Sequence, residues 1–171
     1  MSQWRSKMRI SVALLFACAL ACAQRVPAPS ASSAATTAPA DAASPRIILP
    51  DKSVIAVEVA ADEEMRAQGL MYRDHLADDR GMIFLFPQAG EYPFWMKNTL
   101  IPLDMIWSDA NHRIVHIAHD VPPCKADPCP NYPPHAEASS VLELAAGVAA
   151  KHHLAEGNTL KFEGMDNVVA R

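Results

Sequence analysis

Charged and amide side chains interrupt apolar stretches of this chain at positions where they could bind a ligand. Lys97 and Asn98 follow an apolar segment that contains Trp95, and Asp104 lies inside the apolar run 101–107. A tryptophan beside a carboxylate and an amide is a common way to hold a sugar or another small polar ligand. These side chains therefore predict a binding site for a small polar or carbohydrate-like molecule.

Three further charged residues are included in this candidate site. Glu143 interrupts the apolar segment VLELAA, and Arg66 and Arg73 flank a glycine-containing turn. A charge in a half-buried strand is unfavourable by several kcal/mol unless it is paired or hydrated. Asp104 and Glu143 are therefore expected to face solvent, to pair with a nearby lysine or arginine, or to line a pocket.

The same residues support other interpretations. Lys97, Asp104 and Arg73 could form an ion-pair network that only stabilises the strands, since buried charge pairs hold structure more often than they catalyse. Convergence of Asp104 and Glu143 would instead predict a paired acid/base hydrolase acting on envelope or extracellular glycans. An envelope protein could also occupy the site, and a purely structural accessory lipoprotein would bind nothing there. The sequence identifies no catalytic residue and favours a binding role.

Metal and cofactor sites are not expected. His112 falls in a predicted turn, and His116 and His119 point to opposite sides of a predicted strand, so the three do not converge on one ion. No serine nucleophile motif, phosphate-binding loop or dinucleotide fingerprint occurs in the sequence. Four methionines among apolar neighbours are expected to fill the core: Met71, Met82, Met96 and Met105.

Short strands and two small helices are expected to position these residues. Strands are predicted at 54–61, 81–86, 92–97, 141–145 and 159–163, with a hairpin at 103–119. Asp62 and Gly69 suit the two ends of a helix at 62–67, a second helix is predicted at 147–155, and a proline-rich loop at 120–138. This pattern predicts a mainly β fold, a compact β-sandwich or barrel-like domain with one or two short helices.

The N-terminus predicts export. Basic residues precede an uncharged apolar stretch of 12 residues at 10–21, which is shorter than the ~20 residues that span a bilayer and is typical of a signal peptide. Cys22 follows the residues ALA, an approximate lipobox, so 1–22 is predicted to be a lipoprotein signal with a lipid anchor on Cys22. Cleavage at the Ala-x-Ala pattern of 21–23 would instead release a soluble protein. Both alternatives predict an exported protein, either lipid-anchored in the cell envelope or periplasm or, if released, soluble and secreted.

Two segments follow the predicted signal. Residues 23–45 are mostly Ala, Ser, Thr and Pro, a composition that cannot bury enough apolar surface to fold and that is typical of a disordered tether. Residues 46–171 have the length of one globular domain with its own core.

The charge balance argues against nucleic-acid binding. Three of the 15 basic residues and none of the 19 acidic residues precede Cys22, so 12 basic and 19 acidic residues remain after the signal. Since no basic cluster remains, nucleic acid is not an expected partner, and a membrane is expected only through the lipid anchor.

Cys124 and Cys129 are the cysteines that follow the predicted signal. In an oxidising compartment, two cysteines in a proline-rich loop are expected to form a disulfide. The alternative is a metal pair completed by a histidine such as His135, although the sequence has no second cysteine pair of the kind that zinc sites use.

Four segments form a long combined motif: RAQGLMYRDHL at 66–76, GMIFLF at 81–86, FWMKNTLIPLDMIW at 94–107 and VLELAAG at 141–147. Together they resemble the uncharacterised domain-of-unknown-function family 192, over roughly 54–163. The pattern FWMKNT-x-IPLD is long and unusual, which makes a chance similarity unexpected. The resemblance implies a compact β-rich sandwich with a helix packed on it, and it implies no established activity.

Overall fold

The computed structural model describes residues 44–171. The predicted signal at 1–22 with Cys22, and the predicted tether at 23–45 except for its last two residues, lie outside the described residues. Within the described part of the chain, no helix combines the length and the apolar character that crossing a bilayer requires.

The described residues form nine strands and two short helices. In chain order the elements are β1 (Arg46–Ile48), β2 (Val54–Ala60), α1 (Glu63–Gln68), β3 (Arg80–Gly90), β4 (Phe94–Trp95), β5 (Leu103–Ser108), β6 (Ile114–Val121), β7 (Asn131–Tyr132), β8 (Ala138–Ala145), α2 (Val148–Lys151) and β9 (Lys161–Glu163). Seven strands form one sheet in the order β6-β5-β8-β3-β2-β1-β9, and β4 pairs with β7 in a separate ribbon. Neighbours in the large sheet are antiparallel except β2 and β3, which are parallel and joined through α1.

Both faces of the large sheet are covered. On the α2 face, which includes Leu142 and Ile106, the sheet packs against α2 and the C-terminal segment. On the ribbon face, which includes Phe84 and Trp107, it packs against the β4–β7 ribbon and the turn after α1. Because apolar side chains lie on both sides, all six residues of the central strand β5 are buried.

These observations confirm the predicted mainly β fold with two short helices. The sheet does not close on itself, so the arrangement is that of a sandwich-like domain rather than a barrel. The hairpin predicted at 103–119 is confirmed, since β5 and β6 pair antiparallel. The Asp109 carboxylate fixes the turn between them by accepting hydrogen bonds from the backbone N–H groups of Asn111 and Arg113.

Local signals set the ends of α1 as predicted. The Asp62 side chain accepts a hydrogen bond from the backbone N–H of Met65, and the helix ends at Gly69 with φ of 46°. A Cβ at Gly69 would lie 3.2 Å from the Phe84 ring, so both the backbone conformation and the close packing favour glycine.

Other boundaries differ from the predictions. The helix predicted at 147–155 is confined to α2, because His153 adopts a left-handed conformation and the Leu154 N–H bonds to the carbonyl of Ala149. The strand predicted at 92–97 is reduced to β4, because Pro93 has no N–H to donate and Asn98 is left-handed. The strands β1 and β7 were not predicted, since three and two residues are too few to show a periodic pattern.

Candidate functional site

A small cavity opens on the ribbon face, between α1 with its following turn and the segment that contains β4. Four predicted ligand residues line it, namely Arg66, Trp95, Lys97 and Glu143, together with Ala67, Gln68, Gly69, Leu70, Met71, Phe84, Phe94 and Thr99. Its volume is ≈ 30 Å³, which is room for about two water molecules. The cavity can therefore hold one polar group of a ligand.

Glu143 is the buried acidic group of this cavity. It lies on β8 between Met82 of β3 and Met105 of β5, and it is only 5% exposed. Its carboxyl makes no hydrogen bond with any of residues 44–171, and burial raises its pKa to about 8, although the charge of Arg73 acts in the opposite direction. At neutral pH Glu143 is therefore an uncharged carboxylic acid whose O–H can be donated to a ligand.

Trp95 forms an exposed aromatic surface at the rim. Its side chain is 48% exposed, and the Lys97 ammonium lies 5.6 Å from the centroid of its ring. A groove of ≈ 270 Å³ adjoins the cavity and shares Arg66, Ala67, Phe94 and Trp95 with it. The groove is completed by Phe86, Tyr92, Pro93 and Glu63. A planar or ring-shaped ligand could therefore lie on aromatic side chains and extend one group toward Glu143.

Arg66 is held at the boundary of the cavity and the groove by backbone oxygens. Its guanidinium donates to the backbone carbonyl of Leu85 at 3.0 Å and to a backbone oxygen of Arg171, the last residue described, at 2.8 Å, and it lies 5.4 Å from the Phe86 ring centroid. Two of its five N–H donors are thus used within the fold, and they join α1 to β3 and to the last residue of the described chain.

Arg73 and Asn98 lie beside the cavity without lining it. Arg73 forms a two-bond ion pair with Glu58, which raises the pKa of Arg73 and lowers that of Glu58. The Asn98 amide contacts the sulfur of Met71 at 3.7 Å, and the Asn98 carbonyl accepts the N–H of Tyr72 at 2.8 Å. Asn98 thus joins the turn after α1 to the segment after β4, and so helps to position both walls of the cavity.

Comparison with known proteins assigns the domain that contains this cavity to a family. The sequence model of domain-of-unknown-function family 192, described as an uncharacterized ACR, matches residues 47–162. The chain belongs to this family. The matched span contains every candidate ligand residue from Arg66 to Glu143, and it confirms the resemblance based on FWMKNT-x-IPLD.

Two solved structures are similar to this family-192 domain. A protein from Sinorhizobium meliloti, described as a candidate transcription regulator, is 34% identical with a TM-score of 0.61, over 70% of this chain and 92% of that one. A protein of unknown function from Novosphingobium aromaticivorans is 31% identical with a TM-score of 0.62, over 68% of this chain and 82% of that one. No curated protein matches the chain. Neither structure's description names a ligand or a reaction, so the chemistry of the site has to be derived from its residues.

Asp104 does not join the other candidate residues of the family-192 domain. In the β5–β8 pairing Met105 lies opposite Glu143, so Asp104, one position earlier, projects to the α2 face. There it is fully buried and accepts hydrogen bonds from the backbone N–H groups of Asp120 at 2.9 Å and Ala149 at 2.8 Å. Asp104 thus stabilises the start of α2 and the end of β6.

The predicted Lys97–Asp104–Arg73 ion-pair network is therefore wrong. Lys97 lies 3.8 Å from Asp127 instead, Arg73 pairs with Glu58, and the basic group near Asp104 is His119 at 4.0 Å. The convergence of Asp104 and Glu143 that the alternative hydrolase hypothesis requires does not occur, because the two side chains project from opposite faces of the sheet.

A disulfide-closed loop lies next to the cavity of the family-192 domain. Cys124 and Cys129 are bonded to each other, as predicted. The backbone N–H of Cys124 donates to the carbonyl of Met96, and Asp127 within the loop pairs with Lys97. The loop therefore supports the segment that carries Trp95 and Lys97.

The sequence reasoning overlooked several residues of the site. Phe86 and Tyr92 stack with ring centroids 3.6 Å apart and form one side of the groove, and Thr99 is a buried hydroxyl on the cavity wall. The density of aromatic residues in 84–95 was a usable signal for the groove. Within 44–171, no group of three or more histidine, cysteine or acidic side chains is arranged to hold a metal ion.

Proposed function

We propose that this family-192 domain is an exported, non-enzymatic binding domain whose ligand is a small polar molecule of carbohydrate-like chemistry. The ligand lies on Trp95 in the groove and extends one polar group into the cavity. The observation that carries the proposal is Glu143, a carboxyl group that is 5% exposed, has no hydrogen-bond partner in the described chain and lines a cavity.

The energetics of burial support a ligand at this position. Within the described chain, no fully buried side-chain oxygen lacks a hydrogen-bond partner, so the Glu143 carboxyl is open to the cavity. A ligand hydroxyl or carbonyl in the cavity could form a hydrogen bond with this carboxyl. The half-exposed ring of Trp95 beside it offers the flat apolar surface on which sugar rings pack.

Two other functions have less support. A hydrolase that uses Asp104 and Glu143 as paired acids requires both carboxyls at one substrate, and these residues project from opposite faces of the sheet. A role in transcription, suggested by the description of the Sinorhizobium meliloti relative, is disfavoured by the acidic surplus that follows the predicted signal.

The site of action in this proposal is the periplasm or the outer part of the cell envelope. The apolar stretch before Cys22 supports export, and the Cys124–Cys129 disulfide is of the kind that persists in oxidising compartments. Mass spectrometry of the mature N-terminus tests the anchor. A diacylglyceryl group on Cys22 supports lipid anchoring, whereas an unmodified start at Gln24 shows that the domain is released.

Thermal shift measurements with a panel of mono- and disaccharides test the binding function, because a ligand that binds the native state raises its melting temperature. We expect at least one sugar of the panel to raise the melting temperature of the wild-type mature protein. The same sugar should leave the melting temperature of Trp95→Ala unchanged. Leu100→Ala, which truncates another exposed apolar side chain outside the cavity lining, is the matched control and should respond like the wild type. An equal response of Trp95→Ala would show that the ligand binds elsewhere.

A further inference from the structure

We propose that Thr99 and Glu143 together select the sugar by one substituent, an exocyclic hydroxymethyl group that enters the cavity while the ring lies on Trp95. Thr99 is then the residue that distinguishes hexopyranosides, which carry this CH₂OH group, from pentopyranosides, which lack it. The inference rests on the proposed function and specifies which sugars the site accepts.

Thr99 and Glu143 present their polar groups to the same cavity. Of the residues that line it, these two are the buried polar ones, with exposures of 7% and 5%. Neither side chain takes part in a hydrogen bond among residues 44–171, and no fully enclosed side-chain oxygen in this part of the chain lacks a partner. Both groups are therefore open to the cavity, which offers a hydroxyl and a carboxyl to whatever enters it.

The position of Thr99 is fixed by the backbone of its own turn. Its N–H donates to the carbonyl of Met96 at 3.2 Å, and Asn98 before it is left-handed with φ of 58°. The Asn98 carbonyl accepts the N–H of Tyr72 at 2.8 Å, which ties this turn to the turn after α1. Glu143 is equally fixed, because β8 is paired on both sides. The two polar groups are therefore held in place before a ligand binds, which favours selectivity.

The size of the cavity limits the group that can enter. Its volume of ≈ 30 Å³ admits about two water-sized atoms. A hydroxymethyl group, with its carbon and its oxygen, matches this space, whereas a carboxylate or an acetamido group has more heavy atoms. Phe84 and Leu70 on the lining supply apolar contact for the carbon. A methyl group would also fit, but it would leave Thr99 and Glu143 without a hydrogen-bond partner.

A hydroxyl group matches both polar residues whatever the charge of Glu143. It can donate one hydrogen bond and accept others. It can accept from the Thr99 hydroxyl and either donate to an ionised Glu143 or accept from the protonated acid. The selection therefore follows from the types of these residues and their burial, and it requires no net charge on the site.

A pyranose ring on Trp95 can direct one substituent into the cavity, since the indole lines both the cavity and the groove. The ring itself is too large for a space of two water-sized atoms. The hydroxymethyl oxygen is one bond further from the ring than the ring hydroxyls are. It is therefore the oxygen of a simple hexose that reaches furthest into a recess beside the ring.

Isothermal titration of the full mature chain with matched glycosides tests the inference. The pairs are methyl β-D-glucopyranoside with methyl β-D-xylopyranoside, and methyl β-D-galactopyranoside with methyl α-L-arabinopyranoside; within each pair only the CH₂OH group differs. We expect at least one hexoside to bind about tenfold more tightly than its pentoside, since the pentoside leaves two buried polar groups unpaired. The 6-deoxy analogue of that hexoside, which carries a methyl group instead, should also bind about tenfold more weakly than the hexoside.

Variants test the role of Thr99. Thr99→Val removes the hydroxyl and keeps a similar shape, so it should weaken the hexoside about five- to tenfold and leave the pentoside unchanged. Thr99→Ser, which retains the hydroxyl, should keep the preference. Thr159→Val, at an exposed threonine outside the cavity lining, is the matched control and should bind both glycosides like the wild type. Should Thr99→Val not unfold cooperatively in urea, the 6-deoxy glycoside decides, because it removes the same hydrogen bond from the side of the ligand.

The two proposals fail in different ways. If each pentoside binds as tightly as its hexoside, the selection of the hydroxymethyl group is wrong while the binding function stands. If the advantage of the hexoside is unchanged in a folded Thr99→Val, Thr99 does not select the sugar and the inference is overturned. If none of the glycosides binds at millimolar concentration to a protein that unfolds cooperatively, both proposals are overturned.

Discussion

Replacing Glu143 by glutamine should make the domain more stable at neutral and alkaline pH. The carboxyl group has an ordinary pKa of 4.5, and burial raises its pKa to about 8 in the folded protein. Between these pH values the native state holds a proton that the unfolded chain has lost. The free energy of unfolding therefore decreases as the pH rises, by about 1.4 kcal/mol per pH unit for this one group.

The size of the effect follows from the pH interval. From pH 5 to pH 8, Glu143 should lower the free energy of unfolding by about 4 kcal/mol, a large part of the stability of a small domain. Glutamine has nearly the same shape and keeps a polar donor and acceptor but cannot ionise. We expect Glu143→Gln to resemble the wild type at pH 5 and to exceed its stability by about 3–4 kcal/mol at pH 8.

Urea unfolding of both proteins at intervals from pH 5 to pH 9 measures this difference. Carboxyls whose basic partners lower their pKa, such as Glu58, lose their stabilising effect only at more acidic pH. Burial lowers the pKa of His112, which makes stability rise with pH, and this contribution is present in both proteins and cancels. Glu137→Gln, an exposed substitution of the same type, should follow the wild-type curve. Parallel curves for wild type and Glu143→Gln would refute a buried, uncharged Glu143.

Three further predictions concern the framework around the site. Asp104→Asn should lower the free energy of unfolding by about 2–3 kcal/mol in urea, because the N–H groups of Asp120 and Ala149 bond to different oxygens of Asp104 and the amide replaces one of these acceptors by an NH2 donor. The ligand affinity of the folded protein should not change; a loss of affinity without a loss of stability would contradict the structural role of Asp104. Changing both Cys124 and Cys129 to serine should lower the free energy of unfolding by about 2 kcal/mol in the same assay. An unchanged free energy of unfolding would show that the two cysteines are not bonded in the protein. Gly69→Ala should lower stability by about 2 kcal/mol, since alanine is strained at φ of 46° and its Cβ crowds Phe84; an unchanged melting temperature would show that the turn relaxes.

Much of the fold could be predicted because its signals are local. The start of α1 depends on Asp62, its end on Gly69, and the β5–β6 turn on Asp109, so each is visible within a few residues. The order of strands in the sheet depends on contacts between distant residues, and no local pattern encodes it. Very short strands such as β7 owe their conformation to the partner they pair with.

The candidate site could likewise be predicted only where its signal is local. A charge inside an apolar strand correctly marked Glu143 and Asp104 as unusual, and both are buried. The sequence could not show that they lie on opposite faces, because that depends on which residue of β5 pairs with which residue of β8. Trp95 and Lys97 were easier to place, since they are two positions apart in one extended segment.

The separation of the two faces has a consequence for how this domain can diverge. Side chains that would recognise a ligand project from the ribbon face, whereas the carboxylate that fixes α2 projects from the other. Under the proposed binding function, substitutions at Trp95 or Lys97 would change the preferred ligand without disturbing the contacts that Asp104 makes. Under the same proposal, one scaffold could serve many binding specificities, because recognition and structural support would occupy different sides of the same sheet.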